Sequence, residues 1–148
     1  MKFLKFIFSF SYLVFLNYIV FFAGRRSFHY NYEINYFPIK NSIHTFLTLN
    51  LHDKAEINNI YINFFGNIIL FIPFAFLLIM LFKIIKLNKI ILLSLLASTS
   101  IEIIQYFFQI GLADVDDIIL NTVGAIMGFY LYKIFSRIIV GSVLNHAS

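Results

Sequence analysis

The chain has no cysteine, and only 12% of its 148 residues are charged. Without cysteine there is no disulfide, no zinc–thiolate centre and no thiol nucleophile. The shortage of charge matters more, because 61% of the residues are hydrophobic and 20% aromatic. Soluble domains average roughly 45–50% apolar and about 25% charged, and a chain this short has too little interior to hide so much apolar surface from water. A soluble helical domain is therefore set aside in favour of a membrane protein. Internal repeats, low-complexity tracts and a basic stripe are also missing. The net charge of +4 thus points to topology signals beside apolar runs rather than to nucleic acid. No P-loop, GxSxG or HExxH motif is present.

What the chain does have is long apolar runs. A bilayer core of about 30 Å needs about 20 helical residues, and four segments qualify: Phe6 to Ala23, Asn63 to Phe82, Ile90 to Gln109 and Asp117 to Phe135. Helices are expected because lipid offers exposed backbone groups no partner. Lys2 and Lys5 before the first run resemble a signal peptide, but bulky Phe21 and Phe22 stand where a small-residue cleavage site belongs. The run is read as a retained span. The expected fold is all-α, a single integral membrane domain of four transmembrane helices with an ordered outer loop between the first two.

The basic residues set the direction. One side collects Lys2, Lys5, Lys83, Lys86, Lys89, Lys133 and Arg137 with no acidic residue. The other collects Arg25, Arg26, Lys40 and Lys54 together with Glu33, Asp53, Glu56, Asp114, Asp116 and Asp117. The first side is expected in the cytoplasm, with both termini. The long loop from Gly24 to Ile62 is then external, and the alternation of Leu47, Leu49 and Leu51 there predicts a short strand or an interfacial segment. His29, His44 and His52 have no metal-ligand spacing and are read as surface residues.

The polar residues of the apolar spans are not scattered. In SIEIIQYFFQIGLADVDDIILN, residues 100 to 121, four of the seven acidic residues (Glu102, Asp114, Asp116 and Asp117) occur with no Lys or Arg. Ser98, Glu102, Gln105 and Gln109 are spaced by four, three and four. Asp114, Asp117, Asn121 and Gly124 are spaced by three, four and three. Each set is expected to share one helical face, and the topology brings both to the outer half of the bilayer beside Asn63 and Asn67. A charge in hydrocarbon costs about 2.5–3.5 kcal/mol on insertion scales, which drives Glu102 toward the bundle interior or water. The acidic turn also has a plainer reading: Asp114 as N-cap, with Asp116 and Asp117 at the positive end of the helix dipole. Asp116 is expected to point away from the others. Gly124 and Gly128 form a GxxxG read as close packing within the bundle, with Asn121 on the same face. Gly66 is expected to allow a similar approach, and Pro73 to loosen its helix. Grouped carboxylates can hold a hard cation such as Mg²⁺, exchange protons or bind an amine-bearing ligand. The residues do not choose among these, so the metal stays open.

Three stretches, INYFPIKNSI (34 to 43), NFFGNIILFIPFAFLL (63 to 78) and SIEIIQYFFQIGLADVDDIILNTVGAIMGFYLYK (100 to 133), make the sequence resemble the VanZ-like family. The combination of GN-I-LF-P, IE-x-x-Q and D-x-DD-x-x-x-N-x-x-G carries the likeness. The resemblance implies a small bacterial multi-helix membrane protein of a family named for an accessory protein that lowers sensitivity to the glycopeptide teicoplanin. It marks Asn67, Pro73, Glu102, Gln105, Asp114, Asp117, Asn121 and Gly124 as signature positions. Many members place an Arg shortly before the first Asp of the acidic turn. Here Gly111, Leu112 and Ala113 stand there, which leaves Arg25, Arg26 or an ion to balance the carboxylates.

The expected site is Arg25, Asn67, Glu102, Gln105, Asp114, Asp117 and Asn121, lining an outward-facing pocket for a membrane lipid or lipophilic small molecule. No cofactor is expected, apart from a divalent cation as a candidate at the acidic cluster. The expected role is non-enzymatic, in glycopeptide sensitivity. The competing roles are a metal-dependent enzyme on a cell-wall lipid intermediate and a small transporter, which with four spans would have to oligomerise.

Overall fold

The computed structural model describes residues 2–23, 54–110 and 114–145. Helix α1 runs Lys2–Tyr18 and continues into a π-helical turn, Ile19–Ala23. Helix α2 runs Lys54–Phe82, α3 Leu87–Phe108 and α4 Val115–Asn145. Within them lie four stretches long and apolar enough to cross a membrane: Phe3–Phe21, Ile60–Phe82, Leu87–Phe108 and Val115–Ile138. At about 1.5 Å per residue each matches a hydrocarbon core of about 30 Å. The four-helix membrane architecture is thus as expected. The helices overrun the anticipated ends: α2 starts nine residues before Asn63, and α4 ends ten after Phe135. The expected strand or interfacial segment at Leu47 to Leu51, Arg25, and most of the outer loop lie outside the described residues.

The bundle is apolar outside and partly polar inside, as lipid demands. Phe3, Phe6, Phe10, Phe107 and Phe108 are exposed, while Ser9, Ser94, Ser98, Glu102, Asp116, Asn121 and Thr122 are buried. Acyl chains solvate the outer rings as well as a core would, so helix association rests on close packing and hydrogen bonds rather than on the hydrophobic effect.

The tightest packing joins α2 to α4. A Cβ on Gly124 would collide with the Ile68 carbonyl, and one on Gly128 with the Ile72 carbonyl. The GxxxG therefore works inside the bundle, as expected, and lets Phe71, Ala75, Ala125 and Phe129 close into a buried core. Gly66 corrects an expectation. Among the described residues a Cβ there would meet nothing within 4 Å, because Gly66 lies on an exposed side of α2.

Helix α2 runs unbroken through Pro73. Three residues earlier, the Tyr12 hydroxyl of α1 donates to the Leu70 carbonyl at 3.0 Å. Proline removes one backbone donor and strains the preceding turn, and this bond fastens α1 to α2 there. Both the α2–α3 and α3–α4 connections begin with a residue in the left-handed region, Lys83 at φ 54° and Gln109 at φ 53°. At the second, the Ile110 N–H donates to the Gln105 carbonyl at 3.1 Å, the closing bond of a Schellman motif. Gln109 consequently leaves the helical face of Ser98, Glu102 and Gln105 that spacing assigned to it; it is exposed at the cap.

Candidate functional site

The polar groups of the spans meet where α3 and α4 converge. Ser98 and Glu102 lie one turn apart on α3, both buried, with Ser94 one turn further along the same line. A carboxylate is costly here, and the structure gives Glu102 a partner. Its Oε2 accepts the backbone N–H of Asp114 at 2.9 Å. Glu102 thereby caps α4 from a neighbouring helix, at the positive end of the α4 dipole. It sits six residues before the end of α3, about 9 Å along the axis, so α4 starts below the last turns of α3 rather than level with them.

Asp114 is also the N-cap that the sequence predicted, its Oδ1 accepting the Asp116 N–H at 2.8 Å. The acidic turn therefore holds both readings at once. Asp114 builds the helix start, whereas Asp117 looks across to α2, where Asn67 Nδ2 donates to its Oδ1 at 2.6 Å. Glu102 and Asp117 lie within Coulombic range of each other. Asp116 is only 6% exposed, so this end of α4 is enclosed.

One turn deeper, Asn121 Nδ2 donates to Ser98 Oγ at 2.8 Å. Asn121 is 4% exposed, and its Oδ1 has no hydrogen-bond partner. Ser9 Oγ is the other such buried atom among the described residues. It lies eleven residues before Val20 on α1, about 16 Å away along the helix axis. On the outer flank, Gln105 Nε2 donates to the Val20 carbonyl at 3.0 Å. The π-helical turn displaces carbonyls from their regular partners, and Gln105 uses one to tie α1 to α3.

Of the seven residues expected in the site, six are described: bonds pair Asn67 with Asp117 and Glu102 with Asp114, whereas Asn121 bonds to Ser98 and Gln105 to Val20; Arg25 lies outside the described residues. The expected single face on α4 is in fact two lines. Asn121 and the backbone N–H of Asp114 meet α3, while Asp117 and Gly124, seven apart, turn to α2. Spacing had placed Asn121 beside Gly124. A three-residue step leaves about 60° between side chains, enough to address two neighbours in a tight bundle. Tyr12 and Val20 were missed, because a lone tyrosine in an apolar run and a backbone carbonyl leave no signal in spacing. Among the described residues, no three His, Asp or Glu side chains stand close enough to hold a metal ion.

Comparison with known proteins adds to this geometry. A family model described as VanZ/LLP1 matches residues 8–136. The curated Protein VanZ of Enterococcus faecium is 42% identical over 71 residues, 48% of this chain and 44% of that protein. The match thus spans under half the length of that curated relative. No solved structure matches the chain.

Proposed function

The chain belongs to the VanZ/LLP1 family and is a multi-pass membrane protein, and from that premise we propose that it binds a lipid-linked or lipophilic ligand in a polar recess open to the outer leaflet. Through that binding it lowers sensitivity to teicoplanin-type glycopeptides. The observation that carries the reading is the convergence of Asn67, Glu102, Asp117 and Asn121 at neighbouring depths in an otherwise apolar bundle. Interhelical hydrogen bonds in membranes contribute only about 0.6 kcal/mol on average. Packing alone could be met by serine or glutamine, without the cost of two carboxylates in hydrocarbon.

The orientation in this reading follows from charge. Lys83, Lys86 and Lys89 lie at the α2–α3 connection, and Lys133 and Arg137 near the far end of α4. Assigned to the cytoplasm, these basic residues place both termini there and turn the acidic start of α4 outward. The chain lacks cysteine, so Ala113→Cys gives a single label site. It should react with an impermeant maleimide added outside intact cells; labelling only from the cytoplasmic side inverts the orientation.

The function is tested by Glu102→Gln and Asp117→Asn. Both keep shape and hydrogen bonding while removing charge. Each variant should accumulate in the membrane as the native chain does and lose most of its protection against teicoplanin. Normal accumulation with unchanged drug sensitivity would defeat the proposal.

A further inference from the structure

The hydrogen-bond inventory of the site is lopsided. The amide nitrogens of Asn67, Gln105 and Asn121 each already have an acceptor within the protein: Asp117 Oδ1, the Val20 carbonyl and Ser98 Oγ. Acceptors remain. Glu102 and Asp117 are carboxylates that each accept one hydrogen bond from the described residues, and a carboxylate offers about four lone-pair sites. Asn121, itself 4% exposed, leaves its Oδ1 with no partner among the described residues. It stands one turn past Asp117 on α4, while its partner Ser98 stands one turn before Glu102 on α3. The orphaned oxygen thus lies about one helical turn deeper in the bundle than the two carboxylates.

A buried acceptor left bare carries its full desolvation penalty, and two carboxylates in Coulombic range repel each other in a medium that screens poorly. Among the described residues no basic group bonds to these carboxylates; a cation with N–H donors would relieve both costs. A divalent metal is a poorer match. Such hard cations take about six or more oxygen ligands, and among the described residues no three His, Asp or Glu side chains group to supply them.

Resting on the recess proposed above, we infer that it is selective for a primary ammonium borne by an amphiphile. Its N–H groups donate to Asn121 Oδ1 and to the carboxylates of Glu102 and Asp117, while its chain lies along the bilayer. Two sources share this chemistry, an aminophospholipid of the bilayer and a lipophilic amine from outside.

The full chain in phosphatidylcholine nanodiscs, melted with increasing dodecylammonium, tests it. The melting temperature should rise and saturate. Dodecyltrimethylammonium has the same charge and chain but no N–H, and it should bind roughly tenfold or more weakly, the loss expected for charge-assisted hydrogen bonds. Asn121→Leu should abolish the preference. Equal action of the two amphiphiles on the native chain, or a preference that survives Asn121→Leu, overturns the inference; if that variant does not fold, the native comparison decides alone. Replacing part of the phosphatidylcholine with phosphatidylethanolamine identifies the source. A melting temperature raised without added amine, with the dodecylammonium response blunted, supports the bilayer lipid; an unchanged dodecylammonium response supports an external amine.

The outcome separates from that of the resistance role. Loss of drug protection in Glu102→Gln with no discrimination between amphiphiles keeps the recess and discards its ammonium selectivity. Discrimination without any change in drug protection does the reverse.

Discussion

Helix α4 has two seams, and they are built on opposite principles. Against α2 it presents Gly124, Gly128 and Ala125, so that backbone meets backbone around Phe71 and Ala75. Against α3 it presents Asp114 and Asn121, which meet Glu102 and Ser98 through hydrogen bonds and leave one buried oxygen bare. Beyond the Asn67–Asp117 bond at its start, the first seam fills space without polar cost. The second accepts polar cost without filling every bond. Proteins keep such local inconsistencies mainly where function needs them, which is the contrast on which the proposed site rests.

The contrast is broken most severely at Gly124. Leucine there must displace the Ile68 carbonyl, which is backbone and cannot rotate aside. Overpacking costs about 1–3 kcal/mol where side chains can yield, so Gly124→Leu should exceed about 3 kcal/mol and largely remove folded protein from the membrane. A melting temperature within a few degrees of the native chain would mean that α2 and α4 do not touch here.

The polar seam should respond differently to single and paired changes. Ser98→Ala removes the acceptor of Asn121 Nδ2, so both ends of a buried amide are bare, at a cost of about 1–3 kcal/mol. Adding Asn121→Leu removes the stranded amide itself, and the double variant should return to within about 1 kcal/mol of the native chain. Thermal melts of the two single variants and the double variant measure this coupling. Additive losses would show that Asn121 is held by something other than Ser98.

Weaker effects are expected where α1 is fastened. Tyr12→Phe deletes the bond to the Leu70 carbonyl with little change in shape. A cost of about 0.6–1.7 kcal/mol fits the range for such bonds in membranes, and drug protection should persist, since Tyr12 lies outside the polar cluster.

Much of this arrangement was legible in the residues. Hydropathy and length gave the four spans, and the three-and-four spacing put Ser98 and Glu102 on the side of α3 that meets the start of α4. What spacing missed was direction. Residues 117, 121 and 124 satisfy a one-face pattern within its tolerance, yet the bundle divides them between α2 and α3. Helical periodicity fixes angles about one axis only; it holds no information on where neighbouring axes lie. Gln109 was lost for another reason. Periodicity assumes that the helix continues, and the left-handed turn at that residue ends it. The burial of Asp116 was not legible either: α4 begins beneath the end of α3, where even a capping turn is enclosed.

Gly66 offers the smallest effect and the sharpest control on the first seam. It has the same residue type as Gly124 and lies in the opposite helix of the same pair, but open space surrounds its missing Cβ. Glycine inside a helix is less favourable than alanine by about 0.5–1 kcal/mol through backbone entropy alone. Gly66→Ala should therefore be neutral or stabilising by up to about that amount, while Gly124→Ala is strongly destabilising. Opposite signs for one substitution at two glycines isolate close approach as the cause, because propensity is the same at both sites. Equal losses would instead place α4 or a further copy of the chain against Gly66, and the division of α4 into a packed seam and a polar seam would have to be redrawn.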